Sequence, residues 1–176
     1  MMTLVQFLTL SILLTMQTIF DFSTATDTSR WTIENDTVMG GRSTSRLTMT
    51  DDGHGHFSGH VSLENNGGFA QVKHQFEPVS VADHDYLVLK IKGDGKRYQL
   101  RLKEDLSTRH TYIHYFDTTT DWQELKIALN EFKPTYRGEQ LNMPSFDHDQ
   151  IVEVGILIGN KKEQNFSLLI DRISLK

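Results

Sequence analysis

Alternation of apolar and polar residues, repeated in short segments between turn signals, restricts the fold of this chain more than any other feature. Phe57, Gly59, Val61 and Leu63 fall on one side of an extended segment, and His56, Ser58, His60 and Ser62 on the other. A period of two is the strand period, and one apolar side means one buried face. The pattern recurs with Ala70, Val72 and Phe76 against Gln71, Lys73 and Gln75, and with Tyr98, Leu100 and Leu102 against Gln99, Arg101 and Lys103. Leu87, Leu89 and Ile91 give a fourth core face. Further strands are expected at 19–22, 46–50, 111–117, 122–128 and 166–175, with a central strand in the continuous apolar run 152–158. Segment 129–143 reads as an irregular crossing, because Pro134 and Gly138 interrupt it. About ten short strands without a long helical pattern define an all-β sandwich. Periodicity alone leaves the jelly roll and other sandwiches open.

Two loops stand out within this frame. Asn35-Asp36-Thr37-Val38-Met39-Gly40-Gly41 sets an apolar pair between polar turn-formers and glycines, and Glu64-Asn65-Asn66-Gly67-Gly68-Phe69 is a second Asn-led Gly-Gly stretch. Asn and Asp close turns on their own backbone, and glycine reaches positive φ at little cost. The two loops are expected to pack together at one end of the sandwich. Asp36, Asn65 and Asn66 would satisfy backbone groups of the facing loop, and Val38 and Met39 would plug the core. Gly93-Asp94-Gly95 is a third turn signal, of hairpin type.

These stretches, in this order, resemble the complex I intermediate-associated protein 30 family. The resemblance is carried by Asn35 to Ser43, Phe57 to Phe69, Gly93-Asp94-Gly95 with Tyr98, Trp122 ahead of a strand, and Phe132 with Arg137-Gly138. It covers most of the chain from about Ile19 onward. The resemblance implies a galactose-binding-domain-like jelly-roll β-sandwich and a non-catalytic, assembly-factor role. Mitochondrial members act as chaperones for membrane-arm intermediates of respiratory complex I. The expectation here is a short, stand-alone bacterial-type member, whose partner is a protein, such as a respiratory-complex assembly intermediate. The alternative is a carbohydrate-binding module with a glycan ligand.

The chemistry-bearing residues weigh toward binding rather than catalysis. Asp36 and Glu64 form a general acid/base pair only if their loops meet in an open cleft, which leaves a hydrolase as a third reading. The structural alternative has Asp36 capping its own turn and Glu64 accepting N–H bonds from the facing loop. No nucleophile elbow, P-loop or zinc-protease motif is present, and the sequence contains no cysteine. His56 and His60 share a face but lie four strand residues apart, roughly 13 Å, too far for one zinc ion. No metal and no cofactor is expected. Trp31, Phe69, Trp122, Phe132 and Tyr136 are candidates for a sugar-stacking platform. Arg137 is a candidate clamp for Asp36 or Glu64, or a contact to an anionic partner. With a formal net charge of −5, the sequence displays no basic stripe, and no nucleic-acid partner is expected.

Residues 1–18 form an uncharged, apolar leader ahead of one domain at 19–176. A secretory signal peptide is the leading reading, and an anchor or packed helix the alternatives. Contact with a membrane is expected only through this leader if it is retained. The expected location is therefore exported, periplasmic or extracellular, with cytoplasmic or membrane-anchored as alternatives.

Overall fold

The computed structural model describes residues 16–23 and 27–176, apart from the side chains of Val38 and Met39. Residues 1–15 of the leader expected over 1–18, and the side chains of the expected Val38–Met39 plug, lie outside the described residues. No helix among them is long and apolar enough to cross a membrane.

The chain forms two antiparallel sheets. The first has the order β3 (Thr44–Met49), β4 (Gly55–Val61), β13 (Gln164–Leu175), β6 (Tyr86–Lys92) and β9 (Trp122–Ala128). A sixth strand, β1 (Gln17–Asp21), also pairs with β13. Gln17 and Thr18 thus lie in a strand, opposite Leu175 and Ser174. Because β4 takes the first half of β13 and β1 the second, the two short strands share one side of a long one. The second sheet has the order β11 (Glu139–Gln140), β10 (Lys133–Tyr136), β8 (Thr111–Asp117), β7 (Arg97–Lys103), β12 (Gln150–Ile158), β5 (Ala70–Ser80) and β2 (Trp31–Asn35).

The core lies between the sheets and is built by the alternating faces. Phe57 and Val61 enter it from β4, Leu87, Leu89 and Ile91 from β6, and Tyr98, Leu100 and Leu102 from β7. Fully burying each large side chain contributes roughly 1.5–3 kcal/mol relative to exposure. The apolar run of β12 is the centre of the second sheet, bonded to β5 and β7 on its two sides. This is the all-β, jelly-roll architecture expected from the sequence.

Two expectations need correction. Segment 129–143 is not wholly irregular, because it contains β10, whose Pro134 lies opposite Tyr112. Proline is tolerated there because only the two-residue β11 lies beyond β10 at that margin of the sheet. Arg137 and Gly138 join β10 to β11 with φ of 49° and 85°, the paired positive values of a tight hairpin turn. Leu63 was placed with the core face, but β4 ends at Val61 and Leu63 is exposed.

Candidate functional site

Two regions compete for the role of site. The first is the junction of the Gly-Gly loops. Asp36 opens a single 3-10 turn (Asp36–Met39), and its side chain is only 1% exposed. It belongs to one loop and binds the other. The N–H groups of Gly68 and Phe69 donate to its Oδ2 at 2.6 and 3.3 Å. The Ser43 N–H donates to Oδ1 at 3.0 Å, and the Ser43 hydroxyl donates to Oδ2. The Ser62 N–H in turn donates to Ser43 Oγ at 2.9 Å, tying the end of β4 into the junction. Burial opposes ionisation of Asp36. The Ser43 hydroxyl and the N–H groups of Gly68, Ser43 and Phe69 outweigh it and hold the carboxyl below its ordinary value.

The glycines make room for this carboxylate. A Cβ on Gly41 would overlap the Asp36 carboxyl, and one on Gly67 would lie 2.5 Å from Oδ2. Gly67 has an ordinary φ of −68°, so its constraint is space rather than backbone strain. Gly40 is the reverse case, with φ of +88° and open space around it. Asn65 Nδ2 donates to Gly40 O at 3.1 Å across the junction. Asn66 makes no such bond among the described residues, and its part is a left-handed backbone with φ of 60°. Both asparagines occupy that region, which their short polar side chains tolerate better than most.

The other candidates are not gathered here. Glu64 does not accept N–H groups from the facing loop. It forms a 2.9 Å ion pair with Arg42 at the surface, both side chains more than half exposed. An acid/base pair with Asp36 is therefore not assembled, since all of Asp36's bonding is turned inward. Arg137 clamps neither carboxylate; it lies over the Tyr136 ring at 5.4 Å, on the far margin of the second sheet. The aromatic platform is dispersed. Trp31 is core, stacked on His74 with ring centroids 4.9 Å apart, and Phe132 is fully buried. Trp122 lies on the first sheet against His54, with centroids 4.5 Å apart. Phe69 serves the junction through its backbone. Asp94 is structural: it accepts from Tyr98 Oη at 3.1 Å and from the Ser167 N–H at 3.0 Å, joining the two sheets. Gly93 leaves space for Thr118, and Gly95 turns the chain with φ of +77°. His56 bonds to Ser167 and His60 to Asn165, each at 2.9 Å. No group of three or more His, Asp or Glu among the described residues is placed to hold a metal ion.

The second region is the outer face of the seven-stranded sheet. A cleft of about 350 Å³ crosses it from Glu34 on β2 to Thr135 on β10. Its floor is polar and sunken. Gln71 and Glu153 are each only 6% exposed. Gly155 lies between them in the register, and a Cβ there would meet Gln71 Nε2 and the Val72 carbonyl at 3.2 Å. Gln75 Nε2 donates to Glu153 Oε2 at 2.7 Å, and Lys73 pairs with Glu34. Arg101 Nη1 donates to Gln99 at 3.1 Å, while its Nε is buried without a partner. Burial lowers the Arg101 pKa, opposed by the nearby carboxylates of Glu34 and Glu153, and a guanidinium stays cationic in proteins.

The expectation of no basic stripe is corrected here. Five cations line the cleft, Lys73, Arg101, Lys103, Arg109 and Arg137, against two carboxylates, Glu34 and Glu153. A second depression lined by Arg97, Tyr115, Lys161 and Lys162 extends the face beyond the other end of β7. These cations are separated in sequence and meet only through strand pairing. The available signal was Arg97, Gln99, Arg101 and Lys103, the outward face of one alternating strand.

A two-sheet antiparallel jelly roll with a polar cleft across one outer face defines the class of fold. Among solved structures of that fold, a family 11 carbohydrate-binding module from Clostridium thermocellum, in complex with a β-1,3-1,4-mixed-linked tetrasaccharide, has a TM-score of 0.66 and 15% identity, covering 91% of this chain and 94% of the module. An agarase matches with a TM-score of 0.63 and 12% identity, covering 92% of this chain and 24% of the enzyme. At such identities the likeness is one of fold. The family model described as Complex I intermediate-associated protein 30 matches residues 20–170, and the chain belongs to that family. The mouse protein named complex I intermediate-associated protein 30, mitochondrial, is 23% identical over 184 residues, covering 89% of this chain and 55% of the relative. A probable counterpart from Caenorhabditis briggsae is 25% identical, covering 89% of this chain and 53% of the relative. The chain thus spans about half the length of these curated relatives.

Proposed function

We propose that the protein is a non-catalytic binding domain of the assembly-factor type, which holds a protein partner on the outer face of its seven-stranded sheet. The observation that carries this reading is the cleft itself, where Glu34 and Glu153 are already engaged by Lys73 and Gln75 while Arg101, Arg109 and Arg137 lack ion pairs among the described residues. Carboxylates held by neighbouring donors suit recognition better than proton transfer. Family membership supports a protein partner, because the curated relatives are named for association with a complex I intermediate. The partner reached by this chain acts in an exported compartment, a reading supported by the apolar, uncharged leader. The test is affinity capture of the full chain from its native cell, with reciprocal capture and cell fractionation. One protein recovered at fixed stoichiometry in both directions is the expected result. Retention of polysaccharide alone would overturn the reading. A glycan ligand is the second reading, favoured by the carbohydrate-binding modules that share the fold and by the amide and guanidinium donors on the cleft floor.

A further inference from the structure

Resting on the partner-binding reading above, we infer that the cleft docks an extended, acidic segment of the partner polypeptide, whose carboxylates pair with Arg101, Lys103, Arg109 and Arg137. Charge selects the class of ligand. The chain has a formal net charge of −5, yet its cleft carries five cations and two carboxylates. Local excess of this kind attracts anions and steers their approach. The two carboxylates reduce this excess without removing it: Lys73 pairs with Glu34, Gln75 donates to Glu153, and three more cations than carboxylates line the cleft. Arg101 has a buried Nε that lacks a hydrogen-bond partner within the chain. A carboxylate seated there gives that donor its missing acceptor, and guanidinium–carboxylate pairing is among the stronger polar contacts.

Geometry selects an extended polypeptide. The core-facing residues Tyr98, Leu100 and Leu102 turn Arg97, Arg101 and Lys103 to the outer face of one strand. Alternate strand positions recur about every 7 Å, the spacing of alternate side chains on an extended peptide laid along them. The row from Arg97 to Lys103 spans about 20 Å by the same rise per residue. Lys161 and Lys162 prolong it at one end. Leu106, exposed beside Arg109 in the cleft wall, adds an apolar contact suited to a mixed peptide sequence. Stacking of a neutral sugar is poorly served. Tyr115 lies under Arg97 at 4.3 Å and Tyr136 under Arg137 at 5.4 Å, so guanidinium groups already lie over both rings.

The experiment is fluorescence anisotropy of the full chain with a labelled oligo-glutamate. Polygalacturonate, a mixed-linked β-glucan and a single-stranded oligonucleotide are the competing probes. Oligo-glutamate is expected to bind most tightly, to weaken as salt rises through roughly 0.15 M, and to bind at least tenfold more weakly to Arg109→Gln/Arg137→Gln. That variant changes two exposed side chains at the rim, so its folding is secure, and its melting temperature is read alongside. Arg101→Gln should weaken binding by a similar factor. Tighter binding of the polyuronate, the glucan or the oligonucleotide overturns the inference, as does binding indifferent to both variants. The native partner separates the two levels. If it is captured equally by wild type and Arg109→Gln/Arg137→Gln, the cleft inference fails while the partner-binding reading stands. If no protein partner is found, the partner-binding reading fails and the inference with it.

Discussion

The loop junction and the sheet cleft contain the same kinds of polar group in opposite states of satisfaction. At the junction one buried carboxylate accepts from four donors, and it lies so close to Gly41 and Gly67 that neither has room for a Cβ. In the cleft a buried guanidinium nitrogen has no partner, and two rim arginines face solvent without ion pairs among the described residues. A fully satisfied network specifies a conformation, whereas an incompletely satisfied one retains bonding capacity for a ligand. The residues that attract attention in the sequence therefore build the scaffold, and the inconspicuous polar faces of strands form the surface on offer.

Substitutions at the junction should lower stability and spare the cleft. The largest effect is expected from Asp36→Ala, which leaves the Gly68, Phe69 and Ser43 donors without their acceptor at a cost of about 3 kcal/mol. For a chain of this size that corresponds to a melting temperature lower by roughly 6–12 °C. Oligo-glutamate binding measured well below the transition should not change. Loss of binding at unchanged melting temperature would reverse the assignment of the two regions.

Acid should dissolve the same contrast. The folded pKa of Asp36 lies below its ordinary value of 3.8. Its stabilisation is therefore fully present above 3.8 and is lost as pH falls through the lower, folded value. The stability difference between wild type and Asp36→Asn, measured by urea unfolding, should be constant above about pH 5 and shrink steadily below that ordinary value. A difference independent of pH would mean that Asp36 acts through shape rather than charge.

The glycines divide by mechanism. Gly41→Ala pushes a methyl group into the buried Asp36 carboxyl and should cost about 2 kcal/mol. Gly40→Ala meets no neighbour within 4 Å and should cost only the strain of its positive φ, about 1 kcal/mol. Paired chemical denaturation curves check the order. Equal costs would show that backbone conformation, not room for the carboxylate, sets the demand for glycine.

Local pattern made the sandwich legible, because each buried face announces itself within one strand. The alternation of Phe57 and Val61, or of Tyr98, Leu100 and Leu102, translates directly into core. Pro134 concealed β10 because proline argues against a strand unless its place near a sheet margin is known. The meeting of the Gly-Gly loops was foreseeable from composition, and Asp36 was visible as a member. Ser43 was not, for nothing in its neighbourhood distinguishes a serine that bonds a carboxylate seven residues earlier. The cleft was hidden for a deeper reason. Lys73, Arg101 and Arg137 become neighbours only through the pairing of β5, β12, β7, β8 and β10, which a single-strand period does not encode.

Glu64 provides the smallest and sharpest test. It shares a loop with Gly67, which crowds Asp36, and Gly68, whose N–H donates to Asp36, yet its own carboxylate points to solvent and pairs with Arg42. Exposed ion pairs of this kind contribute little, since water solvates both partners almost as well apart as together. Glu64→Gln should therefore change stability by less than about 0.5 kcal/mol, within the range of surface substitutions. Raising salt should leave the wild-type and variant melting curves superimposed. Oligo-glutamate affinity should also be unchanged, because Glu64 lies outside the residues lining the cleft. A loss above about 1 kcal/mol would show that the clamp extends through the Arg42 pair to the loop surface. An altered affinity would place the junction within reach of the ligand and join the two regions into one site.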